Sequence, residues 1–311
     1  MVMKMNNKTL KLGIITICLS IIISLFAFIP IGRLKTSSPT IWMDKVSDET
    51  KITDLSIPGT HDSGATRSIF DVAGKCQDLS INAQLNIGVR FFDLRLQLVN
   101  DQFKIVHSFV DQKLTFKKVL KDLTSFIKNH PSEFLIISIK EEESSINSTK
   151  YFEEAFLESI EDYKDIFCTD NQLPEKLIDA RGKIYILSRF TTSIGIPAYN
   201  GWKDSDQFNI GSIYVQDRYS VDSVQEKIDY INTGLSVPLN NDILVLNFLS
   251  CYLKNSFPPT YAGTPAVKIN KYINEYLENN KDKKVGILIC DFITYELSKN
   301  IYERNYQYEN N

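Results

Sequence analysis

Short apolar runs alternate with amphipathic stretches from residue 55 to residue 290, and this alternation restricts the chain to a parallel α/β architecture. Residues 55–58, 89–96 and 103–107 read as strands. Residues 134–139 are continuously apolar, as a strand covered on both faces requires. Residues 183–187, 243–248 and 285–290 repeat that signal. Between them, Phe116, Val119, Leu120, Leu123, Phe126 and Ile127 fall at helical spacing, with Thr115 as N-cap and Pro131 beyond the end. Further helices are expected over residues 151–160, over residues 222–231, and from Thr264-Pro265, where proline suits the first helical position. Gly88 stops a short helix ending at residues 84–87. The number of units fits a single distorted (β/α) TIM-type barrel better than an open doubly wound sheet. The absence of G-x-G-x-x-G and Walker motifs weakens a nucleotide-binding reading.

The N-terminus stands apart. Lys4, Lys8 and Lys11 precede a charge-free run of 21 residues, 12–32, long enough to cross a bilayer as a helix. Arg33 and Lys35 follow it, without a clear A-x-A cleavage site. Residues 1–35 are therefore expected to be a signal peptide or a retained signal-anchor helix, and residues 36–311 the barrel domain, secreted or facing the outside. A net charge of −3 gives no support for nucleic-acid binding. Cys18 lies in the export run, and Cys76, Cys168, Cys251 and Cys290 are far apart and show no C-x-x-C spacing, so a zinc site is not expected.

In a barrel, chemistry gathers where strands end at their C-terminal side. The first strand breaks, through an expected Pro58-Gly59 turn, into His61-Asp62, and the chain has only three histidines. In the second, Asp93 and Arg95 share the face opposite Phe92, Leu94 and Leu96. His107 ends the third strand and Lys140 the fourth, followed by Glu141, Glu142 and Glu143, which read most simply as a solvated loop. Arg189, then Asp217 and Tyr219, then Asp291 close the series. Singly, each fits a cap or an ion pair. Together they suggest phosphoryl transfer with one histidine as base and the other as acid. An arginine would neutralise the phosphate, and an aspartate would set a histidine's tautomer.

The segments 56–64 (SIPGTHDSG), 88–95 (GVRFFDLR), His107, 179–183 (DARGK), 215–219 (VQDRY) and 285–291 occur in an order that resembles the bacterial phosphatidylinositol-specific phospholipases C, from about Trp42 to the end. The resemblance implies a distorted TIM barrel cleaving phosphatidylinositol to diacylglycerol and inositol 1,2-cyclic phosphate. It implies His61 as base with Asp291 as partner, His107 as acid assisted by Asp62, and Arg95 on the phosphate, ordered by Asp93. It places Arg189, Asp217 and Tyr219 on the inositol ring, the tyrosine by stacking. Where the family often has a second lysine, this chain has Glu141, so either Lys140 takes that role or inositol binding is altered. With Arg95 present where calcium-dependent relatives place a metal, no cofactor and calcium independence are expected. The expected partner is a phosphatidylinositol-containing membrane surface, with glycosyl-phosphatidylinositol-anchored proteins as a further substrate left open. Ile69 and Phe70 in residues 68–73, and the aromatic residues of 251–261, are candidates for dipping into that surface or for ordinary loop packing. The competing readings are a metal-dependent barrel phosphodiesterase and a membrane-tethered phosphoinositide-binding protein without catalysis.

Overall fold

In a computed structural model that describes residues 38–67, 74–239, 242–255 and 262–306, the apolar runs assemble into one twelve-stranded sheet. In chain order the strands are β1 (Ile57–Thr60), β2 (Phe91–Val99), β3 (Gln102–His107), β4 (Val110–Thr115), β5 (Leu135–Glu141), β6 (Phe167–Cys168) and β7 (Ile184–Arg189). They continue with β8 (Ile196–Pro197), β9 (Gln207–Ile210), β10 (Ile213–Gln216), β11 (Ser220–Val221), β12 (Leu244–Phe248), β13 (Tyr252–Leu253) and β14 (Ile287–Cys290). β11 and β13 form a separate two-stranded ribbon. The helices are α1 (Ile81–Asn86), α2 (Phe116–Asn129), α3 (Phe152–Ile160), α4 (Leu177–Ala180), α5 (Val224–Leu235), α6 (Gly263–Asn279) and α7 (Tyr295–Tyr302). The export run 12–32 and residues 68–73 and 256–261 lie outside the described residues.

The sheet runs β6-β7-β5-β2-β1-β14-β12-β10-β9, and every neighbouring pair from β6 to β10 is parallel. β9 pairs antiparallel with β10 at one end, and no pairing among the described residues joins the two ends. The expected barrel is thus a half-barrel. Two corrections explain this. β3 is not a stave: it folds back antiparallel on β2 and pairs with β4 in a hairpin. Between β7 and β10 the chain makes short strands and a single turn of 3-10 helix, where a regular barrel would insert a crossover helix.

Local expectations fared differently. Thr115 caps α2, its hydroxyl accepting from the Lys118 N–H at 3.3 Å. Gly88, at φ +102°, ends the turn after α1, where an added Cβ would sit 2.9 Å from the Tyr302 ring. The Pro58-Gly59 turn does not form. Both residues belong to β1, in register with Leu288 and Ile289 of β14. Pro58 precedes the first register pair with β2, Gly59↔Phe91, so a missing N–H costs the sheet nothing there. α6 begins at Gly263, which puts Pro265 third in the helix rather than first.

The two faces of the sheet have different tasks. Phe92, Leu94 and Leu96 of β2, with Ile137 and Ile139 of β5, pack under the helices. The inner face is apolar at its base, where Ile57, Phe91, Ile136, Tyr185, Val215, Leu246 and Ile287 meet Trp42 and Met43. Two-residue steps along each strand from that plug lead to the rim. They reach His61 after β1, Asp93 and Arg95 on β2, Lys140 on β5, Arg189 on β7, Asp217 after β10 and Asp291 after β14.

Candidate active site

Parallel register places the rim residues level with one another. Arg95 stands opposite Lys140, and Lys140 opposite Arg189, so three adjacent strands present three cations to one cleft. The cleft has a volume of about 540 Å³, and His61, Arg95, His107, Lys140, Arg189, Asp217, Tyr219 and Asp291 all line it.

The His61 loop is fastened from behind. The Gln77 amide donates to the carbonyls of His61 and Cys290, each at 2.8 Å. Asp62 adopts φ +42°, a left-handed conformation that aspartate tolerates, and its N–H donates to Asp93 Oδ2 at 3.3 Å. His61 Nδ1 lies 2.8 Å from Asp291 Oδ1, and His61 Nε2 lies 2.8 Å from Arg95 Nη2. Arginine can only donate, so Nε2 carries the lone pair and Nδ1 the proton given to Asp291.

Asp62 is the centre of the second half. Its Oδ2 is 3.2 Å from Arg95 Nε, 3.4 Å from His61 Nε2 and 3.5 Å from His107 Nε2. These are ion-pair distances at angles that leave Oδ2 without a hydrogen bond among the described residues. Arg95 also reaches Asp93 Oδ2 at 3.4 Å and Glu142 Oε1 at 3.2 Å.

The charges reinforce one another. Burial alone would lower the His61 imidazole, but Asp291 and Asp62 outweigh it and raise it above its ordinary 6.5. Burial raises Asp62 despite Arg95 and both histidines. Burial would also raise Asp93, yet Arg95 and Arg189 hold it well below the usual carboxylate range. Burial opposes the Arg95 charge, and Asp62, Asp93 and Glu142 overcome that opposition and push it up.

A pH prediction follows from His61. A base must be neutral, so activity should fall as pH drops through a value above 6.5. Asp291→Asn removes the larger of the two charges that raise His61. The acid limb of kcat/KM should therefore move to lower pH in that variant, as a pH–rate profile would show; an unmoved limb would mean that another group sets it. The sign for folding is the companion check. A raised imidazole contributes stability that is fully present below 6.5 and is lost as pH rises through the folded value.

Glu142 corrects the solvated-loop reading. Two residues beyond Lys140, it shares the inner face. It takes Lys140 Nζ at 2.5 Å and Arg95 Nη1 at 3.2 Å, and although burial opposes its charge these cations pull it down to about 2. Trp202 was not anticipated. The Arg189 guanidinium lies 3.7 Å from its ring centroid, and its Nε1–H donates to Asp217 Oδ2 at 3.0 Å. The available signal was its position, one of two tryptophans, placed in a turn outside any helical or strand period. Tyr219 donates to Asp204 Oδ1 at 2.5 Å, and its ring leans on Tyr252 at 5.8 Å.

A half-barrel whose rim joins two histidines, their carboxylates and a row of guanidinium and ammonium groups is an acid–base site built for a phosphate ester. Comparison with known proteins agrees. The X domain of phosphatidylinositol-specific phospholipase C matches residues 53–190. A 1-phosphatidylinositol phosphodiesterase of Listeria monocytogenes is 31% identical over 85% of this chain and 84% of its own length. One of Staphylococcus aureus is 30% identical over 94% and 95%. A solved phosphatidylinositol-specific phospholipase C of S. aureus superposes with a TM-score of 0.75 at 27% identity, covering 87% of this chain and 98% of that one. The chain belongs to the phosphatidylinositol-specific phospholipase C family.

Proposed function

We propose that this chain is a metal-independent phosphatidylinositol-specific phospholipase C working by paired histidine catalysis. The observation that carries it is the His61–Asp291 pair at 2.8 Å, facing Arg95 and, across Asp62, His107. The inositol 2-hydroxyl gives its proton to His61 Nε2, and its oxygen bonds to phosphorus. The bond from phosphorus to the diacylglycerol oxygen breaks, and His107 protonates that oxygen. The products are inositol 1,2-cyclic phosphate and diacylglycerol. Asp291 holds the base in its tautomer and stabilises the cation formed; Asp62 does the same for His107.

Arg95 covers His61 Nε2 in this structure. The phosphate draws it aside, uncovering the base and placing the guanidinium where charge builds. Asp93 and Glu142 keep Arg95 in reach of both positions. Lys140, Arg189, Asp217 and Tyr219 line the rest of the cleft, where the inositol hydroxyls and ring would sit. Lys140 rather than Glu141 takes the lysine role, because Lys140 faces the cleft in register with Arg95 and Arg189.

Arg95 stands among Asp62, Asp93 and Glu142 and supplies the positive charge that calcium would bring. Turnover in EDTA should equal turnover in calcium, followed as soluble cyclic phosphate by phosphorus NMR on phosphatidylinositol vesicles. A requirement for calcium would overturn the role given to Arg95. The same headgroup chemistry extends to glycosyl-phosphatidylinositol anchors, tested by release of an anchored protein from membranes. The basic residues and charge-free run of residues 4–32 support export, with the barrel outside the cell and retained or released by that run. Protease accessibility on whole cells would check it.

A further inference from the structure

Cys76 has no part in that reaction, yet it is built into the middle of the site. Its N–H donates to the Ala65 carbonyl and its own carbonyl accepts from Phe292, both at 2.8 Å, so the backbone is pinned between the His61 loop and the Asp291 loop. Cys76 is among the residues lining the cleft although it is almost wholly buried. Ligand atoms of Cys76, Asp62 and His107 all lie within 4.8 Å of one another.

Two further observations point the same way. Asp62 Oδ2 is buried and, among the described residues, makes no hydrogen bond. Asp62 Oδ2 and His107 Nε2 are 3.5 Å apart. Donors held about 2.0–2.3 Å from a tetrahedral zinc ion are separated by roughly that distance. By contrast, His61 and Asp291, which also approach Cys76, already satisfy each other.

We propose that Cys76, His107 and Asp62 form a site for a thiophilic divalent cation, zinc, whose binding shuts the active site down. It is an inhibitory site rather than a requirement for turnover. Binding forms a sulfur–zinc bond, releases the thiol proton to solvent, and leaves the fourth position to water. Zinc takes Asp62 from Arg95, which keeps Asp93 and Glu142, and it occupies the histidine that must protonate the leaving oxygen. The inhibitory consequence rests on the function proposed above; the binding itself does not.

The test uses the full-length chain stripped with chelator, and cobalt as spectroscopic probe. One equivalent should produce a thiolate-to-cobalt charge-transfer band together with tetrahedral d–d bands, and zinc should displace both. Cys76→Ser should lose the charge-transfer band, whereas Cys251→Ser should keep it. In parallel, zinc should inhibit cleavage of phosphatidylinositol vesicles by the wild type. Cys76→Ser should keep its activity in chelator and need at least about tenfold more zinc for the same inhibition. A missing charge-transfer band, an unchanged spectrum in Cys76→Ser, or equal zinc sensitivity in that variant would overturn the site. If wild-type protein cleaves nothing in chelator, the proposed function fails, while the cobalt spectra still decide the metal site.

Discussion

Replacing His61 with alanine should lower kcat on phosphatidylinositol by about 10²–10⁴-fold, with a much smaller change in KM. The asymmetry arises because His61 acts on a proton that moves only in the transition state. His107→Ala should lose a similar factor on the lipid, but the two variants should part on a second substrate. An inositol aryl phosphodiester with an acidic leaving group needs no proton on departure, so His107→Ala should recover most of its rate there. His61→Ala should not, because the 2-hydroxyl must still be deprotonated. Steady-state kinetics on both substrates, with vesicle binding as a control for folding, reads the outcome. Equal losses for both variants on both substrates would sink the division into base and acid. Vesicle binding without cleavage by the wild type would restore the reading of a binding protein that has lost catalysis.

Much of this site was legible because it follows one simple rule. Side chains two apart on a strand share a face, and parallel strands in register hold their faces level. Asp93 and Arg95 on β2, Lys140 on β5 and Arg189 on β7 therefore converge whatever the details of the loops. The rule also covers Glu142, but three consecutive glutamates carry no visible alternation, and only the continuation of β5 to Glu141 reveals which one faces inward. Trp202 escaped because a loop residue has no period, and its partners Arg189 and Asp217 lie 13 and 15 residues away on opposite sides. The gap in the barrel escaped for a different reason. Seven of the fourteen strands were read, but strand direction depends on connections, and the two residues between β2 and β3, or between β3 and β4, permit only an antiparallel hairpin. Cys76 was visible only as an isolated cysteine; its significance lies in the fold of Ala65 and Phe292 around it.

The largest stability effect should come from a pair that no local pattern announces. Arg90 and Glu133 are wholly buried, with Arg90 Nε 2.7 Å from Glu133 Oε2. The guanidinium also donates to the carbonyls of Leu85, Val89 and Thr40, and lies 4.5 Å from the Phe126 ring centroid. Glu133 Oε1 accepts from the Met43 N–H at 2.9 Å. The pair thus joins the start of β2, the turn before β5 and the segment that plugs the barrel base. Burial opposes the Arg90 charge more strongly than Glu133 supports it, so removing the carboxylate leaves a cation with no counter-charge in an apolar setting. Glu133→Ala should cost about 3–5 kcal/mol, lowering Tm by roughly 10 °C. Glu133→Gln, which keeps an acceptor for Met43, should cost less. The double variant Arg90→Met/Glu133→Leu should be more stable than Glu133→Ala, because it buries no unpaired charge. Thermal unfolding of the four proteins at one pH tests this, and a double variant no more stable than Glu133→Ala would show that the pair acts through its hydrogen bonds rather than its charge. Activity measured well below the lowered Tm should stay within a fewfold of wild type, since neither side chain reaches the cleft.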